Sequence, residues 1–165
     1  MASTKTLDDL FLDTLKDIYF AEKQILKALP KMARAADSEE GKAGFLRHRD
    51  ETQGQIDRIE QVFELLGKPA RGKTCEAIQG IIAEGEEIME EFKGSSALDA
   101  GLISSAQAVE HYEIARYGTL IAWAKQLGLN DAVALLQENL AEEEATDKKL
   151  TQLAMAQANA KGKAA

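Results

Sequence analysis

Residues 106–119 of the chain read AQAVEHYEIARYGT, and this stretch decides the fold. Its apolar positions Ala106, Val109 and Tyr117 recur at helical spacing and therefore predict the buried face of a helix. At about 100° per residue, Glu113 falls on that same face, and Glu110 lies toward its edge one turn earlier. The stretch thus predicts a long helix in a helical core, with two carboxylates that can reach the core.

Three further long helices are predicted around this one. The first runs from about residue 6 to residue 36 and can kink at Pro30, and the second covers about 39–66. The helix that contains the quoted stretch covers about 96–127, and Asn130 can cap the last helix. Short turns join the helices of each pair, so we expect two helical hairpins with antiparallel helices.

A connection of about thirty residues lies between the two hairpins. It begins with the polar segment 68–73 and continues as a weaker helical stretch over 74–92. Since a helix rises about 1.5 Å per residue, this connection can run the length of a bundle, as the single crossover of ferritin-like folds does. The sequence therefore predicts an all-α, ferritin-like four-helix bundle with a long helical crossover between helices 2 and 3. The apolar side of the crossover either covers the bundle or contributes to a dimer contact, unless the segment serves only as a connection.

The composition indicates a single domain. A chain of 165 residues is enough for one compact domain with a sizeable core, which we expect to span about residues 6–156. The low-complexity tail from Gln157 to Ala165 is expected to fray as a flexible C-terminal segment. Abundant helix-forming residues, two prolines and an aromatic content of 5% favour helix over sheet.

The charge and the cysteine count exclude several classes of partner and site. Lys and Arg number 20 against 28 Asp and Glu, a net charge of -8, and no long basic stretch is present, so neither nucleic acid nor an anionic membrane is an expected partner. Cys75 is the only cysteine, which rules out an internal disulfide framework and a cysteine metal cluster within one chain. The segment Met1 to Asp9 lacks an apolar signal region, and no apolar run approaches the ~20 residues that span a bilayer. We therefore expect a cytoplasmic protein.

Carboxylates also fall on the apolar faces of the first and last helices. Glu22 lies in the middle of the apolar stripe of the first helix, between Ile18 and Leu26. In the last helix, Glu143 aligns with the apolar positions, and Asp147 follows it one turn later on the same side. We expect these three carboxylates to point inward.

The second helix contributes a histidine and a glutamate less regularly. Helical-wheel geometry centres His48 and Thr52 on its apolar stripe and leaves Glu51 nearer the margin, although a modest rotation would admit both His48 and Glu51. A lone core histidine is often only structural. His111 lies well off the stripe that holds Glu113, so we expect it at a surface or an interface.

Inward carboxylates on several helices require neutralisation. A single such carboxylate usually lies at a boundary and pairs with Lys, Arg or Tyr, but burying several like charges without partners would cost many kcal/mol. Bound cations or protons must therefore neutralise them. Oxygen-rich sites suit hard cations, and one imidazole beside them shifts the preference toward iron, manganese or zinc.

Four stretches of the chain closely resemble the YciE/YciF family of bacterial ferritin-like proteins. They are DIYFAEKQILKALPKM at 17–32, HRDET at 48–52, the quoted stretch at 106–119 and EEEATDKKL at 142–150. The resemblance extends over about residues 6–154, and the 106–119 stretch is its most specific part. It implies a ferritin-like bundle, homodimers and an association with bacterial stress responses, without naming a substrate.

The resemblance also implies a set of metal ligands. The wider ferritin-like pattern places one Glu on the first and third helices and Glu-x-x-His on the second and fourth. Four residues match its glutamates in order: Glu22, Glu51, Glu110 and Glu143. The two histidines of the pattern are absent, because Gly54 and Thr146 stand at their positions.

Residues one turn away can substitute for the missing histidines. His48 precedes the glutamate of helix 2, while Glu113 and Asp147 follow those of helices 3 and 4. The complete predicted site therefore comprises Glu22, His48, Glu51, Glu110, Glu113, Glu143 and Asp147. Its richness in carboxylates favours the harder, more oxidised metal state.

The predicted function is that of a stress-associated di-metal carboxylate protein with about two transition-metal ions per chain. Iron is the first expectation for the metal and manganese the second. Such a protein would react with oxygen or peroxide as a small-molecule oxidant, or would handle iron, through metal redox chemistry. The alternative is a structural or stress-associated dimeric bundle without turnover, whose carboxylates bind metal only for stability or share protons. The sequence leaves open the substrate, the electron donor and whether the protein is an enzyme.

Overall fold

The computed structural model describes residues 3–163, and the regular structure in that range is entirely helical. Five helices form the body of the protein: α1 (Leu7–Ala35), α2 (Glu39–Leu65), α3 (Glu76–Glu91), α4 (Leu98–Gln126) and α5 (Asn130–Leu153). A π-helical turn (Ala154–Ala158) and the short helix α6 (Asn159–Lys163) follow α5 without a break. The predicted all-α class and the predicted long helices are confirmed.

Local interactions fix where the helices begin and end. The backbone N–H of Thr6 donates to the Asp9 carboxylate at 2.8 Å, and the Ser38 hydroxyl accepts from the backbone N–H of Gly41 at 3.0 Å, so both α1 and α2 begin with a capped first turn. Gly67 follows α2 and Gly128 follows α4, with φ angles of 64° and 72° that glycine adopts without strain. The short turn at 36–38 brings α1 beside α2, and the turn that contains Gly128 brings α4 beside α5.

The two hairpins pack face to face around one core. Helix α1 contacts α4, and α2 contacts α5. The core between them contains fully buried apolar side chains from all four helices, among them Leu15, Ile18, Ile25, Ile59, Leu102, Leu120 and Leu136. Pro30 lies inside α1, which continues through it as a single helix.

Helix α3 is the predicted crossover and covers one side of the bundle. It packs against α4 and α1. Ile78 is fully buried, and Ile81, Ile82 and Met89 are partly buried against the core. The interpretation of this segment as a cover is therefore correct, and the interpretation as a mere connection is wrong.

The C-terminal segment differs from the prediction of a frayed tail. Residues from Gln157 to Lys163 are helical, and Ala158 is buried. At Gly162 the chain comes so close to the start of α4 that an added Cβ would lie 3.3 Å from the Cα of Ala97. The Ala-rich composition favours helix, and this contact with the bundle orders it. Ala164 and Ala165 lie outside the described residues.

None of the helices within residues 3–163 combines the length and the apolar character needed to cross a lipid bilayer.

Two glycines of α4 test how tightly the crossover is packed. A Cβ at Gly101 would lie 2.6 Å from Cγ2 of Ile88 in α3, whereas a Cβ at Gly118 would meet nothing within 4 Å. We expect Gly101→Ala to lower the free energy of unfolding by about 1–3 kcal/mol through overpacking. Gly118→Ala is the matched control and should raise it by about 0.5–1 kcal/mol through helix propensity. Urea unfolding measures both, and equal stabilisation by the two substitutions would contradict close packing of α3 on α4.

Candidate metal centre

Four ionisable side chains from three helices meet in the middle of the bundle. They are His48 of α2, Glu110 and Glu113 of α4, and Glu143 of α5, and each offers one ligand atom within 4.8 Å of the others. All four residues are buried, with 4% of His48 exposed and none of the three glutamates. We call these four residues the carboxylate–histidine cluster.

Helical spacing aims these side chains at one point. Glu110 and Glu113 are three residues apart on α4 and therefore share a face. On α2, His48 and Thr52 are one turn apart, and the Thr52 hydroxyl donates to the backbone carbonyl of His48 at 2.8 Å. This bond satisfies the buried Thr52 hydroxyl within its own helix. Of these two buried polar residues of α2, only His48 therefore contributes its side chain to the cluster.

The atoms of the cluster are close together but lack hydrogen-bond partners. Nε2 of His48 lies 3.1 Å from Oε1 of Glu110 and 3.7 Å from Oε2 of Glu143. Neither approach satisfies hydrogen-bond geometry, and this Nε2 together with all six carboxylate oxygens of Glu110, Glu113 and Glu143 is buried without a partner. Buried polar atoms in native proteins are almost always satisfied. A converging set of one nitrogen and several oxygens without partners is the donor set that a transition-metal cation would satisfy.

Glu22 of α1 lies beside the cluster. Its side chain is fully buried, and its Oε1 accepts a hydrogen bond from the Tyr117 hydroxyl. Its Oε2 has no partner. Glu22 interacts electrostatically with both Glu143 and Glu113, so α1 contributes a fourth glutamate to the same buried region.

Burial and mutual repulsion change how these glutamates ionise. Burial raises the pKa of Glu22 to about 8, and the charge of Glu143 acts in the same direction. Burial, followed by the charges of the neighbouring glutamates, also raises the pKa values of Glu110 and Glu113 well above the usual range. Burial alone would raise the pKa of Glu143, but its contacts with Glu110 and His48 outweigh burial and lower it. In the absence of a cation, Glu143 therefore carries negative charge while its neighbours tend to keep protons.

Two residues of the predicted site lie beside the cluster, not in it. Glu51 is half-buried, and its Oε2 accepts a hydrogen bond from the Thr146 hydroxyl at 3.2 Å. Asp147 is bonded to Gln107 at 3.2 Å and contacts His111 at 3.1 Å near the surface. The rotation of α2 points His48 and Thr52 inward and leaves Glu51 at the margin. On α5, Thr146 points inward, so the next residue, Asp147, does not. His111 is exposed, as predicted from its place off the apolar stripe.

The sequence did not reveal the polar residues that support Glu22. Helical periodicity identifies Tyr117 only as part of the apolar stripe of α4, and it does not single out Asn139 or Arg58. Asn139 is fully buried and donates to the Tyr117 oxygen at 3.2 Å, while Arg58 donates to Asn139 at 2.9 Å. A buried asparagine one turn before Glu143 was the available signal, since such a residue needs polar partners.

Two cavities of different size are lined in part by His48. A cavity of about 310 Å³ lies between α2 and the end of α5, and its walls include His48, Glu51 and Thr146 with the cationic side chains of Arg47 and Lys149. A second cavity of about 30 Å³ lies under α3, is lined mainly by apolar side chains and reaches His48 and Glu110. The larger cavity therefore places charged side chains of α2 and α5 beside His48. The smaller one has room for about one water-sized molecule.

Comparison with known proteins places the chain among bacterial relatives. A family model described as "Domain of unknown function (DUF892)" matches residues 6–163. Protein YciF of Escherichia coli K12 is 48% identical over 158 residues, which are 95% of this chain and 95% of the relative. The crystal structure of the E. coli stress protein YciF superposes with a TM-score of 0.90 at 47% identity, covering 94% of this chain and 99% of that one.

Two further solved structures share the architecture. YcfI from Rhodopseudomonas palustris is 50% identical, with a TM-score of 0.88 over 91% of this chain and 96% of its own. A protein from Xanthomonas campestris is 23% identical, with a TM-score of 0.70 over 92% of each chain, and shows a shared fold alone.

The raised pKa of Glu22 predicts how the stability of the metal-free protein depends on pH. Below the ordinary carboxyl pKa of 4.5, Glu22 is protonated in the folded and unfolded states alike. Between this value and about 8, the unfolded chain releases a proton that the folded protein keeps, so the free energy of unfolding falls as pH rises. Glu22→Gln should flatten this fall and should stabilise the protein near pH 8, by on the order of a few kcal/mol at most.

Urea unfolding of chelator-treated protein between about pH 5 and pH 8 measures this dependence. Glu144→Gln removes an exposed carboxylate next to Glu143 and is the matched control, whose slope should equal that of the wild type. The assignment of a raised pKa to Glu22 is wrong if Glu22→Gln and Glu144→Gln show the same pH slope.

Proposed function

The chain belongs to the DUF892 family, as its resemblance to the YciE/YciF proteins predicted, and we propose that it is a stress-associated, ferritin-like metal protein. The carboxylate–histidine cluster of His48, Glu110, Glu113 and Glu143 is its metal site. Iron is the expected metal and manganese the alternative.

The unpartnered ligand atoms in the middle of the bundle are the observation that supports this proposal. Removing several carboxylates from water without compensation costs several kcal/mol per ion, which is a large fraction of the stability of a domain of this size. A divalent or trivalent cation would neutralise the charge of Glu143 and release the protons of its neighbours. The mixture of one imidazole and three carboxylates suits iron and manganese better than magnesium or calcium.

The proposed stoichiometry is about two ions per chain, as in other ferritin-like carboxylate proteins. The carboxylate–histidine cluster would hold the first ion. Glu22, through its free Oε2, and the neighbouring Glu113 and Glu143 would hold the second. Glu51 on α2 could serve as an additional ligand, because its hydrogen bond with Thr146 occupies only one of its two carboxylate oxygens. Asp147 lies outside this arrangement, because it bonds Gln107 and contacts the exposed His111.

The residues of the site would have separate roles in the proposed chemistry. Iron or manganese held by these residues would supply one-electron redox chemistry toward oxygen or peroxide. The glutamates compensate the charge of the ion, His48 supplies a nitrogen ligand, and the surrounding apolar side chains keep bulk water away. The larger cavity between α2 and α5 would admit the ion and a small oxidant, because its walls include His48 together with charged side chains.

The physiological setting is proposed from the relatives. The E. coli relative is called a stress protein, and a role in stress protection fits a site that would react with oxidants. Homodimers, which the family resemblance implies, and a cytoplasmic location belong to the same proposal. Light scattering during size-exclusion chromatography would test the dimer.

A structural bundle without metal chemistry is the second candidate. The raised pKa values of Glu22, Glu110 and Glu113 favour it, because protons alone could neutralise most of the buried charge. The relative from Rhodopseudomonas palustris is described as a candidate structural protein. This alternative differs from the first in one measurable respect, since a proton-neutralised bundle need not retain a metal ion.

Metal content after controlled loading distinguishes the two functions. Wild-type protein that has been chelated, reloaded with Fe²⁺ or Mn²⁺ and freed of excess metal should retain about two ions per chain. Glu113→Gln removes a charged ligand from the cluster and should reduce the retained metal by about half or more. Glu144→Gln, an exposed change of the same chemistry on the same helix as Glu143, should retain the wild-type amount.

Elemental analysis with circular dichroism as the check on folding provides the measurement. A folded wild-type protein that retains less than about half an ion per chain would contradict the metal site and favour the structural bundle. Equal metal content in the two variants would place the bound ions elsewhere.

A further inference from the structure

A single chain of hydrogen bonds connects all four long helices and ends at Glu22. Nη1 of Arg58 on α2 donates to Oδ1 of Asn139 on α5 at 2.9 Å. Nδ2 of Asn139 donates to the hydroxyl oxygen of Tyr117 on α4 at 3.2 Å. The Tyr117 hydroxyl donates to Oε1 of Glu22 on α1. Asn139, Tyr117 and Glu22 are fully buried, so these bonds are shielded from competing water.

Asn139 fixes the donor-to-acceptor direction of this series of hydrogen bonds. A guanidinium group carries donors only, so the amide atom that faces Arg58 must be the oxygen. The amide nitrogen then faces the opposite way, where it donates to the Tyr117 oxygen and also to the backbone carbonyl of Gln55 at 3.2 Å. The reversed amide would place its N–H groups against the Arg58 guanidinium and its oxygen against the Gln55 carbonyl oxygen. Arg58 and the Gln55 carbonyl therefore both select the same orientation of Asn139.

This orientation determines the role of the tyrosine. The Tyr117 oxygen accepts a hydrogen bond from Asn139, so its only proton is directed to Glu22. One oxygen of Glu22 is consequently occupied, and the other, Oε2, is buried without a partner. The carboxylate of Glu22 thus presents one free oxygen toward the interior.

Arg58 is itself held in place at the edge of the bundle. Its Nη2 donates to Glu142 at 2.7 Å and its Nε lies 2.9 Å from Glu138, both on α5. Gln55 donates to the other oxygen of Glu142 at 3.1 Å. With 21% of the Arg58 side chain exposed, these contacts are only partly screened by solvent. The Arg58 guanidinium is therefore a fixed donor at the outer end of the hydrogen-bond chain.

We propose that Arg58, Asn139 and Tyr117 are positioning residues that restrict Glu22 to a single oxygen, Oε2, as the ligand for a bound cation. This inference rests on the proposed function for the cation, but the hydrogen-bond chain itself exists without it. Partners that orient a ligand commonly change metal affinity by about 10–100-fold when they are removed, although they never touch the ion. Arg58 would accordingly act on the metal site from the edge of the bundle.

Co²⁺ is a suitable probe, because its visible absorption reports the number and arrangement of its ligands. We expect Tyr117→Phe, Asn139→Asp and Arg58→Met each to weaken Co²⁺ binding by about tenfold or more and to change the absorption spectrum in the same way. Asn139→Asp keeps the size of the side chain but has no N–H to donate, so it redirects the Tyr117 proton away from Glu22. The double variant Arg58→Met/Asn139→Asp should bind no more weakly than Asn139→Asp alone, since both act through one bond.

Arg49→Met is the control for Arg58→Met, because Arg49 lies on the same helix and pairs with Asp50 outside the bundle. It should leave both the affinity and the spectrum unchanged. The proposal is overturned if Tyr117→Phe, checked for folding by circular dichroism, binds Co²⁺ with the wild-type affinity and spectrum. It is also overturned for Arg58 if Arg58→Met behaves as Arg49→Met does.

A metal-free measurement separates this inference from the proposed function. If wild-type protein binds no Co²⁺, the metal function fails and Glu22 has no cation to bind, which also overturns its assignment as a one-oxygen ligand. The hydrogen-bond chain can still be tested by urea unfolding of Arg58→Met, Tyr117→Phe and the double variant. Asn139 links these two side chains through one hydrogen bond to each, so a non-additive shift of the unfolding midpoint supports the hydrogen-bond chain, and strict additivity contradicts it.

Discussion

The burial of carboxylates inside an apolar bundle is the constraint on which this structure depends. Glu110, Glu113 and Glu143 are as inaccessible to water as the leucines around them. A sequence selected for stability alone would place apolar residues there, since replacing buried ions with apolar groups of similar volume is often neutral or stabilising. The helices therefore enclose a charge that something else must compensate, and the choice between protons and cations decides what the protein can do.

The remainder of the fold shields the buried carboxylates from solvent and leaves two cavities beside them. Helix α3 covers the side formed by α1 and α4 with an apolar surface, so the cavity beneath it is small and mainly apolar. Between α2 and the end of α5, a larger cavity with charged side chains in its walls reaches His48. His48 thus borders both a small apolar cavity and a larger cavity that has charged side chains in its walls.

The architecture could be predicted from the sequence because helical periodicity is a local property. The positions of Glu22 and Glu143 on apolar stripes follow from 3.6 residues per turn, and the structure buries both. The placement of Glu51 and Asp147 could not be settled in this way, because a rotation of a helix by a fraction of a turn decides which of two neighbours faces inward. The contact between Arg58 and Asn139 could not be predicted from the sequence either, since it depends on the relative heights of α2 and α5 in the folded bundle.

Anomalous X-ray diffraction from crystals of the iron- or manganese-loaded protein tests the central claim most directly, because it locates the ions as well as detecting them. We expect anomalous density among Nε2 of His48 and the carboxylates of Glu110, Glu113 and Glu143, with further density beside Oε2 of Glu22. Well-ordered crystals of loaded protein that show no anomalous density inside the bundle, or show it only at surface carboxylates, would contradict the account and leave a bundle neutralised by protons.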